Sequence, residues 1–546
     1  GEVGGCWALV SHRVFSQDAR MRIGRSIHVL VLGFLAFGCG MDRAKPDFTI
    51  LNGAEPETLD PHIITGQPEF RLVEALFEGL YAHDPKTAEA VPGVAERHDL
   101  SADHRTYTFH LRKDARWSNG DRITAGDFVG SWQRALAPET AADYAYLLYF
   151  IKNAKLYNEG TLSDFSRVGV RALDDLTLQI ELDYPTPFFI DLTAMPALYP
   201  VHLPTLRQFG DDWIKPGRLV SNGAYVLKDW RLNDRLDMEK NLHYWDAANV
   251  QLNTIRALPN SQAITAFSVY SAGEADLILD KGLAPIYLLD ELRGRPDFHA
   301  ATFLGVFFYR FNVTRKPFDD PLVRKALAMS IDRNLIVKKI TKAGERPALA
   351  FVPPGTGGYQ PPEGLGYHPG EARRLLAEAG YPDGKGFPSF SILFDTRELN
   401  SAIAVEIQQM WKRELGIDCI LENQDWKVYL NTQARLDYDV SRSSWVGDYN
   451  DPNTFLDMFM SDNGNNRCGW KNADYDRLIN EANRTIDPKK RFELFRKAET
   501  LLLKEGAPIA PIFYYVGINF FDPKKWGGIH PNVLDVHPFK AIYRKN

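Results

Sequence analysis

A single carboxylate beside an aromatic ring, at the end of an extended segment, is suited to hold a positively charged group of a ligand. Residues 442–452 offer this arrangement: Arg442 and Trp445 lie in a run with the spacing of a strand, and Asp448 follows at its end. Tyr449, Asn450, Asp451 and Pro452 then supply the turn chemistry that stops the strand. A plainer reading is that Asp448 and Asp451 each form an Asx turn and bind nothing.

Other chemistries find little support. The sequence has no Cys-x-x-Cys, His-x-x-x-His or His-Glu-x-x-His pattern and its 13 His are scattered, so neither a metal nor a cofactor is expected. A hydrolase such as a peptidase is the rival enzymatic class, but no Gly-x-Ser-x-Gly elbow, zinc helix or reactive-cysteine signature is present. A net charge of -6 and a pI near 6.2 leave no strongly basic surface, which argues against nucleic acid as a partner. Aromatic residues make up 12% of the chain, more than core filling needs, and Tyr and Trp are favoured where an apolar wall meets a wet cleft. The sequons at Asn312 and Asn483 are read as chance.

The elements that must position such a site can be read from pattern. At 546 residues with 45% apolar composition the chain is long enough for two to four domains. Residues 106–112 and 176–183 alternate as half-buried strands. Thr124 and Asp127 form a capping box that opens a helix with Phe128, Trp132 and Leu136 on one face. Helices are expected at 371–379, 402–415 and 489–504, stopped by Gly380, Gly416 and Gly506, with strands at 417–422 and 509–515. The class is mixed α/β without internal repeats.

The amino-terminal region carries an address. Residues 21–25 are basic and residues 27–38 form an apolar run of secretory length, too short to span a bilayer, so 21–38 reads as a signal peptide. Residues 35–39 (LAFGC) resemble a lipobox with Cys39 as the acylated residue, although Phe37 departs from the usual small residue and leaves cleavage by an ordinary signal peptidase open. Residues 1–20 lack a starting Met and any targeting logic, and are set aside as an upstream segment. Of the four cysteines only Cys419 and Cys468 fall in the body. In an oxidising compartment they could pair or stay as two buried thiols.

A series of ordered motifs makes a resemblance specific: Leu59-Asp60-Pro61-His62, 76–80 (LFEGL), 107–114 (YTFHLRKD), 117–120 (WSNG), 124–128 (TAGDF), 131–134 (SWQR), 221–225 (SNGAY), 271–274 (SAGE), 317–320 (PFDD) and 375–381 (LLAEAGY). In this order they resemble the oligopeptide-binding proteins of bacterial ABC importers, family 5 extracellular solute-binding proteins, over nearly all of residues 46–546. The resemblance implies a type II, cluster C periplasmic-binding-protein clamshell with an extra inserted domain. Lobe 1 would combine 46–78, 203–305 and 516–546; the inserted domain would be 79–202 and lobe 2 would be 306–515. Two strands crossing between the lobes would form the hinge. The expected partners are short peptides and the membrane permease subunits, with the protein itself monomeric and exported. A relative tuned to dipeptides, cell-wall peptides or a non-peptide ligand is the alternative.

The same resemblance assigns site residues. Asp448 matches the carboxylate that receives the peptide amine, and Arg442, Ser444, Trp445 and Val446 match positions beside the peptide. Thr65, Gly66 and Gln67 match a segment that bonds the peptide main chain, Gly66 allowing close approach of backbones. Arg442 matches a position able to meet a peptide carboxylate bidentately. Trp426 matches a pocket-wall aromatic. Tyr144 matches a tyrosine near the ligand amine, with the adjacent Tyr146 leaving the register open. Tyr309 and Arg310 fall on a ligand-lining strand. Because neighbours on a strand point to opposite faces, only one of them would reach a given pocket, and Arg310 would favour acidic ligand side chains.

Overall fold

Alternation shapes the sheets where the sequence suggests it. Thr106–Leu111 buries Tyr107, Phe109 and Leu111 and turns Thr106, Thr108 and His110 outward, and it pairs antiparallel with Thr177–Glu181. The helix Ala125–Leu136 closes one face of this four-stranded sheet. Asp127 accepts bonds from the Thr124 backbone N–H (2.7 Å) and hydroxyl (2.9 Å), so the first helical turn is fixed from its own side chains. A computed structural model describes residues 45–546; the signal-peptide and Cys39 expectations lie outside the described residues.

The other main layer is a large mixed sheet, eleven-stranded among the described residues. Its order runs Ile420–Gln424, Ser391–Asp395, Val440–Val446, Phe298–Phe311, Ile509–Phe520, Leu277–Ile278, Phe48–Gly53, Thr254–Pro259, Arg235–Lys240 and Tyr225–Arg231, with Arg346–Pro347 paired off the side. The two longest strands, Phe298–Phe311 and Ile509–Phe520, lie at its centre and join the two halves. Their antiparallel register breaks between Thr302 and Val306. The fold is a two-lobed α/β clamshell with an additional sheet-and-helix unit.

Packing follows the same division. One apolar core draws its members from residues 80–198 together with Tyr449. Others gather around Phe48, Tyr225 and Trp526 on one side, and around Phe307, Phe390 and Trp411 on the other. Fully burying such a side chain contributes roughly 1.5–3 kcal/mol. Cys419 and Cys468 are both buried free thiols, and burial pushes the Cys419 thiol up to about 12.

Element ends depart from the sequence expectation in physical ways. The helix expected at 402–415 runs Glu398–Leu415, because Asn400 is held inside by a 2.8 Å bond to Asp395; Gly416, at φ 71°, ends it as expected. The strand expected at 417–422 is Ile420–Gln424, since Ile417 and Cys419 are drawn into the core before pairing begins. The strand expected at 509–515 continues to Phe520, its partner being long enough to carry it. The helix expected at 489–504 is regular over Pro488–Thr500 and then widens into a π-turn, Leu501–Gly506.

Candidate ligand-binding site

The strand Val440–Val446 runs antiparallel to Phe298–Phe311, with Arg442 opposite Tyr309, Ser441 opposite Arg310, Ser444 opposite Phe307, Trp445 opposite Val306 and Val446 opposite Gly305. Ser444, Trp445 and Val446 are half-buried at its end. The next residues turn tightly. Trp445 Nε1 donates to the Thr454 carbonyl (2.6 Å) and the Asp448 backbone N–H donates to Thr454 Oγ1 (3.0 Å), so one short helix fixes both.

The two acids of this turn behave differently. Asp451 accepts from the Asn453 backbone N–H (2.9 Å), as an Asx turn should, and also grips Arg491 with both oxygens (2.6 and 2.8 Å). Asp448 Oδ2 is shielded from solvent and has no hydrogen-bond partner. Burial pushes its carboxyl up to about 7, with His83 pulling the other way. A buried carboxylate left without a donor is costly, and a ligand ammonium is the group that would relieve it.

Tyr144 comes to the same place from residues 80–198. Burial, and after it the Asp448 charge, keep the hydroxyls of both Tyr144 and Tyr146 well above the ordinary tyrosine range, so both remain neutral. Their rings stack at 5.8 Å. Both tyrosines lie within electrostatic reach of Asp448, so proximity does not choose between the two registers. Phe70, in the helix Gln67–Leu76, packs edge-on against Tyr144 at 5.8 Å, which brings the 65–67 segment to this cleft.

Thr65 and Gln67 are exposed, and Gly66 caps that helix. A Cβ at Gly66 would lie 2.2 Å from Glu69 Oε2, so the end of that side chain would have to move aside. Trp426 is 39% exposed at the start of the helix Trp426–Ala434, stacked on Tyr429 and beneath the Arg397 guanidinium. Beside it Lys427 pairs across to Glu57 at 3.5 Å.

Two expectations require correction. Arg442 does not hold a free guanidinium for a ligand carboxylate: it is 4% exposed, paired with Asp395 at 3.0 Å, bonded to the Tyr515 hydroxyl at 3.1 Å and stacked over Phe307. Burial opposes its charge, but Asp395 more than offsets this and holds it above the usual arginine range. Tyr309 does not line the cleft. It faces the core with Phe307 and is 0% exposed, because its position opposite Arg442 puts it on the inner face. Arg310, on the other face, is 3% exposed and donates to Ser443 Oγ and the Asn465 carbonyl, both at 2.9 Å.

Comparison with known proteins follows the same geometry. Residues 89–467 match the bacterial extracellular solute-binding proteins, family 5. The chain belongs to this family. It is 38% identical over 505 residues to the periplasmic oligopeptide-binding protein OppA of Salmonella typhimurium, covering 91% of each chain. The solved structure of the Escherichia coli murein tripeptide binding protein MppA superposes with a TM-score of 0.86 at 37% identity, covering 92% of this chain and 99% of that one. The unliganded open form of MppA, at the same 37% identity and covering 92% of this chain and 98% of that one, superposes with only 0.67. This family 5 member is therefore less similar in overall arrangement to that open form.

Sequence reasoning missed four residues that the fold brings here: Asp395, which takes Arg442; Tyr449, stacked on Phe188 at 4.9 Å; His83; and Arg467, whose Nε is buried without a partner. Only Tyr449 carried a signal, as an aromatic inside a turn. The other three come from segments distant in sequence or irregular in pattern.

Proposed function

We propose that this protein is the extracytoplasmic solute-binding component of a peptide ABC importer, capturing short oligopeptides in a closing cleft and passing them to membrane permease subunits. It binds without performing chemistry and acts as a monomer. The observation that carries this reading is the solvent-shielded, unpartnered carboxylate oxygen of Asp448, set between the turn after Val440–Val446 and the tyrosines of residues 80–198. Backbone and termini are common to all peptides, so a general peptide binder anchors these and leaves side chains to roomy pockets. In this reading Asp448 pairs with the amine, Tyr144 and Trp445 wall it, and Ser444, Val446, Thr65, Gly66 and Gln67 run beside the main chain. Trp426 forms a pocket wall.

The lobes are assigned as 46–78 with 203–305 and 516–546, and 306–515, with 79–202 inserted. The register break between Thr302 and Val306 supports a hinge at that point. Export follows from the 21–38 signal peptide. Among the described residues no helix is long and apolar enough to cross a membrane, so stable attachment would come from acylated Cys39, which takes more than one chain. A fatty-acid analogue should label wild type and not Cys39→Ser.

The test is titration calorimetry of free and N-acetylated tripeptides against wild type and Asp448→Asn. Acetylation and the substitution remove the same interaction, so their costs should not add. Equal binding of free and acetylated peptides to wild type would overturn the amine assignment. Peptide recovered intact after prolonged incubation is expected, and cleavage products would show an enzyme instead. Mass spectrometry of ligand released from purified protein would separate oligopeptides from dipeptides, cell-wall peptides and non-peptide ligands.

A further inference from the structure

Asp395 serves two arginines and can neutralise only one. Its Oδ1 accepts from Arg442 Nη1 at 3.0 Å and from Asn400 Nδ2 at 2.8 Å, and its Oδ2 faces Arg397 Nε at 3.1 Å. Arg442 is buried and held by this pair and by the Tyr515 hydroxyl. Arg397 is placed differently: its side chain is 39% exposed and its guanidinium lies over the Trp426 indole at 5.7 Å. Gripped through Nε and stacked on a ring, the group is oriented, while its two Nη atoms make no hydrogen bond among the described residues.

That Nη edge faces the opposite wall. A Cβ on Gly282 would come within 3.2 Å of Arg397 Nη1 and 3.0 Å of Asp280 Oδ1. Residues 280–282 follow the strand Leu277–Ile278, which lies beyond the two long central strands from Ser391–Asp395. The helix Gln67–Leu76 braces this wall at two points. Arg71 meets Asp280 at 3.5 Å, and Glu69 accepts the Glu57 backbone N–H at 2.9 Å, Glu57 itself facing Lys427 at 3.5 Å. Arg397, Trp426 and Lys427 therefore border the same cleft as Thr65, Gly66 and Gln67.

We propose that Arg397 anchors the carboxy-terminal carboxylate of a bound peptide, with Trp426 as the platform that fixes its guanidinium. This rests on the reading of Asp448 as the amine anchor, which sets where the other end of the ligand falls. A guanidinium held through Nε keeps its paired Nη donors for a second carboxylate, which it can meet bidentately. Spacing makes the anchor selective for length. Arg442 lies six positions before Asp448, a span of at most about 20 Å at roughly 3.3 Å per residue, and Arg397 shares Asp395 with it. An extended peptide with its amine on Asp448 covers that span in about four to six residues. A tripeptide falls short.

The test titrates the full protein calorimetrically with Ala/Ser peptides of three to six residues, each as free acid and as carboxy-terminal amide. At one length between four and six residues the acid should bind wild type about tenfold or more tighter than the amide, and the tripeptide pair should bind equally. Arg397→Gln should bring acid and amide together at every length. Equal affinities at every length in wild type, or a penalty unchanged in Arg397→Gln, would overturn the anchor. So would an equal loss for acids and amides in that variant, which would show Arg397 bracing the 280–282 turn instead. Should Arg397→Gln not fold, the same series on Arg397→Lys decides: the amidation penalty drops several-fold if Arg397 is the anchor and stays unchanged if it is not. N-acetylated peptides report on Asp448 separately. Absence of an acetylation penalty in wild type overturns the amine reading, whereas absence of an amidation penalty overturns only the carboxylate anchor.

Discussion

Asp395 and Asp448 are both carboxylates withdrawn from water, and the protein treats them in opposite ways. Asp395 is 1% exposed and receives Arg442 at 3.0 Å, Arg397 at 3.1 Å and Asn400 at 2.8 Å. Asp448 has an oxygen that nothing in the chain satisfies. The first arrangement is complete without a ligand and works as an internal clamp between the strand Val440–Val446 and the helix Glu398–Leu415. The second is complete only when a donor arrives. Burial alone does not mark a binding residue; a shielded carboxylate oxygen without a donor is a more specific pointer, because a ligand cation is what would satisfy it.

The largest expected effect tests the closed half of that contrast. Arg442→Gln removes one side of a buried ion pair, which typically costs about 3–5 kcal/mol of folding stability. Arg397 still faces Asp395, so the loss should fall near the lower end, read as a shift in the urea midpoint. The ratio of free to acetylated peptide affinities should stay at its wild-type value. A variant of normal stability with selectively impaired peptide binding would break the distinction.

Asp448→Asn should give the reverse pattern. Binding is expected to weaken by about 2–5 kcal/mol, the usual cost of deleting one member of a buried, hydrogen-bonded charge pair. Ligand-free stability should not fall. With a folded pKa of about 7 against an ordinary 3.8, the protonated carboxyl contributes stability that is fully present below 3.8 and lost as pH rises through about 7. Asparagine never ionises, so above pH 7 the ligand-free variant should melt higher than wild type. Lower ligand-free stability above pH 7 would show that Asp448 has a structural partner.

The contrast also explains what sequence could disclose. Strand and helix identities were legible because Tyr107, Phe109 and Leu111 alternate, Thr124 and Asp127 cap, and Gly416 stops a helix, all local signals. Asp448 was legible because its turn ends a strand. The fate of Arg442 was not, since Asp395 lies 47 positions away and only the pairing of Ser391–Asp395 with Val440–Val446 unites them. The facing of Tyr309 and Arg310 was equally hidden. Alternation says that they part but not which face is the core, and the register opposite Arg442 and Ser441 decides it.

A smaller effect comes from protons. On the proposed pairing with the ligand amine, binding needs ionised Asp448, so affinity should fall on the acid side of pH 7 by at most about tenfold per unit. The other groups around this site are His83, Tyr144, Tyr146, Tyr449, Asp457 and Arg467. The tyrosine hydroxyls stay neutral throughout, while burial pushes Asp457 up to about 7 as well. Titrations over pH 5 to 8 with Asp448→Asn as control separate the two acids. An acid limb that persists in the variant would assign it to Asp457 rather than Asp448.

The smallest effect concerns the residue next to the anchor. Tyr449 sits in the core formed by residues 80–198, parallel to Phe188 at 4.9 Å and 10°. Arg491 lies over the same Phe188 ring at 5.4 Å while holding Asp451, so the turn that carries the anchor is also fastened to the opposite wall. On the proposed reading, ligand capture and closure would share one turn, and differential affinity for the closed state would shift the population. Tyr449→Ala should lower affinity for every peptide alike, by about 0.5–1.5 kcal/mol for the lost ring pair. The change should appear as faster dissociation. Tyr449→Phe should bind as wild type does, because the hydroxyl makes only a 3.4 Å contact with Asn453 Nδ2. The acetylation penalty should remain in both variants. If Tyr449→Ala abolished that penalty instead, the ring would be positioning Asp448 rather than fastening the lobes, and closure would have to be held elsewhere, at Lys427 with Glu57 or Lys155 with Asp462.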